Sequence, residues 1–229
     1  MARRPAVTVP APVGAAARLS RSRIVDAAIA LADRDGLDGL SMRKLGQQLG
    51  VDPMAVYHHV RDKNELLAEM VDRVIATITV ERSGTWDDAL QATIQSARRT
   101  MLDHPWTVRV IEDQRAPTPA GLRYLDAVLG ILRDGGFSVA LCHHALHVLG
   151  SRILGFSQDL YDDSPDDPRP TPAAAAAQAR EWASALPHLA ELASSVSHQG
   201  GLGGCDDDAE FAFALDLIIE GLAQRLADG

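Results

Sequence analysis

The residues best able to act together chemically lie in one short stretch, SMRKLGQQLGVDPMAVYHHV at positions 41–60, with Arg61 and Lys63 directly after it. Arg43, Lys44, Arg61 and Lys63 put four cations close together, and cations so placed can neutralise phosphates, the interaction that supplies much of the affinity for nucleic acid. A second concentrated set is His143, His144 and His147, where 143 and 147 share a helix face at i, i+4. The spacing echoes HExxH, but His144 stands where that motif has its general-base Glu, so zinc-protease chemistry is not supported and no metal or cofactor is expected. No glycine-rich phosphate loop, nucleophile elbow or Cys–His pairing occurs, which leaves an enzyme without a residue to carry its reaction.

The elements that would position the first set can be read from local chemistry. Ser41 is a candidate N-cap for a helix over Met42–Leu49, closed by Gly50, and Asp52 would cap a very short helix opening with Pro53, a residue favoured at the first helical position. Gly50 can take the left-handed conformation at the turn, and Gly46 is small where the second helix must come close to the first. Leu45, Leu49, Val51 and Val56 form the apolar wedge between them. Pro53, Met54, Tyr57 and His58 then face outward, placed for a major groove. The pattern is a helix-turn-helix. An ordinary helical hairpin has the same spacing, and it is the neighbouring cations that favour DNA.

The rest of the chain repeats the 3.6-residue period and predicts an all-α protein. Ile24, Val25, Ala28, Leu31 and Ala32 share the face of a first helix ending at Gly36. Asp62 and Glu65 stand at capping-box spacing before a long helix with Leu66, Met70, Val74 and Ile78 in a stripe. Helices follow from Thr85 (Trp86, Leu90, Ile94, Ala97 and Met101 inward) to His104–Pro105. Another runs from Thr118–Pro119 through Leu122, Leu125, Leu129 and Leu132 to Gly135–Gly136. The segment 138–161 is strongly apolar, and an acidic, proline-rich loop over 162–172 interrupts it. Helices are expected over 173–195 and 207–227, separated by a glycine-rich break at 200–204.

The 229 residues carry 22 Lys and Arg against 31 Asp and Glu, a formal charge of -9. The charge is unevenly distributed: residues 1–80 hold 11 basic and 9 acidic side chains, residues 81–229 hold 11 basic and 22 acidic. Such asymmetry suggests that one part meets a polyanion and the other does not. Two cysteines cannot build a disulfide framework, and no run of 18 apolar residues is present, so no membrane partner is expected. Arg3 and Arg4 before an alanine-rich stretch loosely mimic a signal peptide, but Pro5, Pro10, Pro12 and Gly14 interrupt it. The expectation is a disordered arm over 1–19 on a cytoplasmic protein. The acidic clusters have plain readings: Asp206, Asp207, Asp208 and Glu210 suit a helix N-terminus, and 162–167 lacks the glycine and terminal Glu of a calcium loop.

The stretch IVDAAIALADRDGLDGLSMRKLGQQLGVDPMAVYHHVRDKNELLAEM resembles the DNA-binding domain of the tetracycline repressor (TetR) family in residue type and spacing. WDDALQ, GLRYLDAVLGILRDGGFS and the last amphipathic helix look like that family's ligand-binding and dimerisation half. The resemblance implies a three-helix DNA-binding domain over 20–67 and a helical-bundle regulatory domain over 68–229. The implied function is a homodimeric transcriptional regulator, a repressor released from double-stranded operator DNA by a small-molecule effector. By position, Arg43 would reach a base edge, most naturally guanine. Met54, Ala55 and His58 would also face bases. Tyr57 and Lys63 would hold phosphates, and Ser41 would cap its helix and touch the backbone. Polar side chains often stand where Met54 and Ala55 lie, so contact with thymine methyls is expected here.

The resemblance also implies docking of two protomers through 138–161 and 207–227, with the histidines 143, 144 and 147 on a pocket or the dimer surface. The tetracycline-repressor branch holds a magnesium chelate of its drug partly through a histidine, yet WTVRVIEDQRAPTP, the comparable segment, has none. A different, apolar or aromatic effector is therefore expected, bordered by Trp86, Trp106, Ile111, His144, His147 and Phe156. The alternatives are an activator of the same fold, or a helical protein that binds or metabolises a small molecule and keeps a vestigial helix-turn-helix.

Overall fold

The computed structural model describes residues 18–114, 116–155, separate positions between 173 and 191, and 207–228. The described residues contain helices and no strand. The arm at 1–17, the loop at 162–172, Trp182, the glycine-rich break and Phe156 lie outside them. The helices are α1 (Arg21–Gly39), α2 (Met42–Leu49), α3 (Pro53–Tyr57), α4 (Lys63–Ile75), α5 (Trp86–Asp103), α6 (Trp106–Asp113), α7 (Pro119–Asp134), α8 (Val139–Gly155) and, at the C-terminus, α9 (Asp207–Ala227). No described helix is long and apolar enough to cross a membrane.

The chain divides into two compact units. The first holds the residues up to Val74 together with 103–118, and the second holds 75–102 and the residues from Pro119 onward. This division differs from the sequence boundary at 67/68 in one consequential way, because α6 packs with the first unit. Asp33 on α1 explains why. Its Oδ1 accepts the indole N–H of Trp106 at 2.6 Å and lies 2.8 Å from His104 Nδ1. Trp106, Thr107 and Val110 are buried.

In the first unit, Ile24, Val25, Ala28, Leu31 and Ala32 of α1 are buried, together with Leu45, Val56, Val60, Leu66, Met70 and Val74. The expected end of α1 at Gly36 becomes a kink: Gly36 has φ 68° and ψ 174°, and a further turn reaches Gly39. The α4 stripe stops earlier than expected, since the helix ends at Ile75 and Ile78 lies beyond it. The α4 cap is real but modified. Asp62 accepts the Glu65 N–H at 2.8 Å, while the Glu65 carboxylate takes the N–H of Arg61 at 2.6 Å instead of closing back on Asp62.

The core of the second unit gathers Leu90 and Ile94 of α5, Val128, Ile131 and Leu132 of α7, Phe137, Cys142, Ala145 and Leu149 of α8, and Phe211, Leu215 and Leu222 of α9. Trp86 meets Phe137 edge-on at 4.7 Å, and a Cβ on Gly135 would fall 2.7 Å from the Trp86 side chain, so only glycine closes α7 there. Arg98 of α5 lies 4.3 Å from the ring centre of Phe211 and donates to the Asp207 carbonyl and the Asp208 carboxylate, both at 3.0 Å. These contacts anchor the acidic start of α9. Leucine periodicity misled on α7. Leu122 and Leu125 are exposed, whereas Leu132 is buried and Leu129 partly so, and the buried face runs through Ala120, Ala127, Val128, Ile131 and Leu132. Between 173 and 191 the described positions are helical except Leu186, where Pro187 disfavours helical geometry in the residue before it. The single helix expected over 173–195 is therefore interrupted.

Candidate nucleic-acid interface

The helix-turn-helix is built from caps, one conformational glycine and one steric glycine. Ser41 Oγ accepts the Lys44 N–H at 3.2 Å, and Asp52 Oδ1 accepts the Met54 N–H at 2.8 Å, satisfying a donor at the start of each helix. Gly50 takes the left-handed conformation, φ 69° and ψ 31°, and its N–H bonds back to Gln47. Nothing lies within 4 Å of where its Cβ would be, so conformation alone selects glycine there. Gly46 is the opposite case. A Cβ there would sit 3.0 Å from the Val51 carbonyl oxygen and 3.2 Å from Pro53 N, so space selects it. Leu45 and Val56 are fully buried, as the wedge requires. Leu49 and Val51 are only half-buried, and Met42, Leu40 and Val60 complete the interior instead.

On the outer side, Met54 is 62% exposed, and Tyr57 and His58 are also exposed. Pro53 and Ala55 are half-buried, Pro53 because it forms the close approach to Gly46. The cations are not equivalent. Lys44 Nζ is 3.8 Å from Asp35, whose carboxyl is held below its usual range mainly by Arg34, with Lys44 contributing. Arg61 Nε is 3.3 Å from Glu65. Lys63 Nζ donates to the Leu37 carbonyl at 3.4 Å. Arg43 is exposed and, among the described residues, has no ion-pair or hydrogen-bond partner for its guanidinium, so its five donors are uncommitted.

Sequence reasoning missed the brace behind this surface. Arg21 of α1 donates through Nε to Glu69 Oε2 at 2.8 Å, through Nη2 to Glu65 Oε1 at 2.7 Å, and through Nη1 to the His59 carbonyl at 3.0 Å. The Arg61 N–H and the Arg21 guanidinium hold the Glu65 carboxyl at about 2. Arg73 on α4 reaches back to Asp26 on α1 at 2.6 Å. Together these contacts tie α1 to α4 and to the chain just after α3. Each pair is distant in sequence, so helical periodicity carries no trace of them.

The residues proposed for an effector site are divided between the two units. Trp86 lines a cavity of about 290 Å³ in the second unit with Thr85, Ile131 and Gly135. His144 and His147 lie exposed on α8, where His143 and His147 stack edge-on at 4.6 Å. Trp106 and Ile111 belong to the first unit, with the Trp106 indole committed to Asp33. The second unit also contains a group that the sequence did not single out. Tyr124 has a buried hydroxyl with no hydrogen-bond partner among the described residues, and burial pushes its pKa well above the ordinary tyrosine value.

Comparison with known proteins agrees with this arrangement. Residues 24–70 match the family described as bacterial regulatory proteins, tetR family, and residues 80–226 match the tetracyclin repressor-like C-terminal domain. The HTH-type transcriptional repressor DrrR1 of Streptomyces coeruleorubidus is 29% identical over 219 residues, 91% of this chain and 79% of that protein. The tetracycline repressor protein class E of Escherichia coli is 33% identical over 139 residues, 59% of this chain and 64% of that one. Among solved structures, the TetR family protein ActR of Streptomyces coelicolor in complex with actinorhodin superposes with a TM-score of 0.75 at 27% identity, covering 92% of this chain and 99% of that one. An N-terminal helix-turn-helix with its reading face open, followed by a helical C-terminal domain matched over nearly its whole length, places this chain in the tetR family of bacterial regulatory proteins, as a DNA-binding transcriptional regulator.

Proposed function

We propose that two copies of this chain dock through α8 and α9 and act as a repressor that a small-molecule effector releases from operator DNA. The observation that carries the DNA half is the exposed guanidinium of Arg43, uncommitted among the described residues, together with the exposed Met54, Tyr57 and His58. A bidentate Arg–guanine contact contributes about 1–3 kcal/mol of discrimination. Met54 and Ala55 offer apolar contact to thymine methyls. Lys44, Lys63 and Tyr57 contact phosphates, the two lysines by exchanging their present partners, Asp35 and the Leu37 carbonyl, for the backbone.

Apolar side chains outside the core support the dimer. Val139 is 73% and Phe213 62% exposed, with Val148 and Leu217 also open, all on α8 and α9. Exposed apolar groups on these two helices supply surface for association. In the dimer, the two α3 helices must stand about 34–36 Å apart to enter successive major grooves. An effector that binds more tightly to a conformer with another spacing draws the population off the DNA.

The effector is an apolar or aromatic molecule with a polar group, held in the second unit. The Tyr124 hydroxyl, which has no partner among the described residues, supports this, since a buried hydroxyl without a partner is costly and an effector oxygen or nitrogen would satisfy it. That ActR binds actinorhodin is consistent with an organic effector of this kind. Selection of bound duplexes from random DNA, followed by a screen for molecules that release the protein, tests both halves. Salt-dependent, sequence-selective binding that Arg43→Ala weakens by about fivefold or more is expected. Unchanged selectivity in that variant removes the base-reading role of Arg43, and an effector that tightens binding makes the protein a corepressor-dependent regulator.

A further inference from the structure

The first unit has a half-open cleft of about 450 Å³ between the end of α1, the first turn of α4, and α6 with the residue that follows it. Its size is that of a small-molecule site. Leu37, Leu67 and Val110 supply an apolar wall. The polar groups on it are unequal. Lys63 Nζ makes one long bond, 3.4 Å to the Leu37 carbonyl, for three available donors. Gln114 Nε2 is buried and has no hydrogen-bond partner among the described residues. Arg109 approaches Asp38 only at 4.0 Å, and the Asp38 side chain is 94% exposed. Asp113 is exposed as well. Lys63 and Arg109 are exposed too, so the feature that favours an anion is the buried Gln114 Nε2, a donor that no group among the described residues satisfies.

We propose that this cleft is a ligand site for a small organic carboxylate with an apolar body, separate from the effector site in the second unit. The carboxylate accepts from Lys63 Nζ, the Arg109 guanidinium and Gln114 Nε2, and the body covers Leu37, Leu67 and Val110. Charge-assisted bonds to two cations favour the carboxylate over an uncharged analogue. The apolar wall favours it over a bare inorganic anion. An occupant touches α1, α4 and α6 at once, adding a second fastening of α6 to the helix-turn-helix unit beside Asp33. It also occupies Lys63, so the same ammonium cannot serve a phosphate at that moment.

The test is titration of the full-length protein with sodium octanoate, followed by backbone amide NMR, with 1-octanol and inorganic phosphate as matched controls. Saturable octanoate shifts are expected at 37–38, 63–67 and 109–114, with neither control reproducing them. Gln114→Leu and Arg109→Gln are each expected to weaken octanoate by about tenfold, the loss of one charge-assisted hydrogen bond. Arg109 is a solvent-exposed position, so its variant folds even if the Gln114 change disturbs the unit. Octanol binding as tightly as octanoate overturns the proposal, as does phosphate doing so. Shifts confined to the second unit, no saturable shift at millimolar octanoate, or full affinity in both variants also overturn it. Because the readout is binding at these amides and not DNA release, the result is independent of the effector reading above.

Discussion

Replacing Gly46 with alanine separates the architecture of the DNA-reading head from its stability. The new Cβ would meet Val51 O at 3.0 Å, Pro53 N at 3.2 Å and Pro53 Cα at 3.3 Å, all of them backbone atoms. Ordinary carbon contacts begin near ~3.5 Å, so the turn must retreat by a few tenths of an ångström. Pro53 opens α3, and its ring fixes φ, so the retreat carries α3 with it. Overpacking of this kind costs about 1–3 kcal/mol. Alanine in a helix interior returns about 1 kcal/mol relative to glycine. The expected net loss of stability is therefore small, about 0–2 kcal/mol. Displacing the reading helix loses base contacts worth about 1–3 kcal/mol each, so affinity for selected operator DNA should fall at least about tenfold. Urea denaturation and fluorescence anisotropy on a labelled duplex, at one fixed salt concentration, measure the two effects separately. Gly50→Ala is the contrast: nothing crowds its Cβ, but φ 69° costs a non-glycine residue about 1–2 kcal/mol, a loss of stability without a clash. Wild-type operator affinity in Gly46→Ala, with unchanged or raised stability, would refute the close-approach argument.

Other outcomes follow from the remaining contacts. Phe213→Asp together with Leu217→Asp should convert the proposed dimer to monomer in analytical ultracentrifugation while leaving helical content intact; a dimer that persists places the interface elsewhere. Tyr124→Phe removes a buried hydroxyl with no partner among the described residues, so the protein without effector should be as stable or slightly more stable, while release of DNA by the effector should need a higher concentration; equal release in the variant takes Tyr124 out of the site. Glu65 is held at about 2 against an ordinary 4.5. Its contribution to stability is therefore complete above about pH 4.5 and lost as pH falls toward 2. Glu65→Gln should flatten the acid limb of a stability-against-pH curve within that interval, and an unchanged limb would show that the Arg61 N–H and Arg21 do not hold the carboxylate.

Local chemistry decided most of what the sequence reveals about this protein. Caps, turn glycines and the 3.6-residue period are interactions among residues a few positions apart, so Ser41, Asp52, Gly46, Gly50 and the buried faces of α1 and α5 could be read directly. The outward Met54, Tyr57 and His58 followed from the same rules, though Pro53 did not, being half-buried against Gly46, and α9 followed almost to the residue. Where competing apolar faces existed, periodicity could not choose between them: on α7 it favoured leucines, two of which are exposed, because the neighbours that bury Ala127 and Val128 come from other helices. Tertiary structure alone decided that α6 packs with the helix-turn-helix through Asp33, and that Arg21 and Arg73 brace α1 against α4. It also decided which cations of the helix-turn-helix are engaged and, among the described residues, that Arg43 is not, and that Gln114 and Tyr124 keep buried polar atoms without partners among those residues. Each of these depends on contacts between residues tens of positions apart, where an ion pair or a cavity leaves no periodic mark and only the folded chain brings its members together.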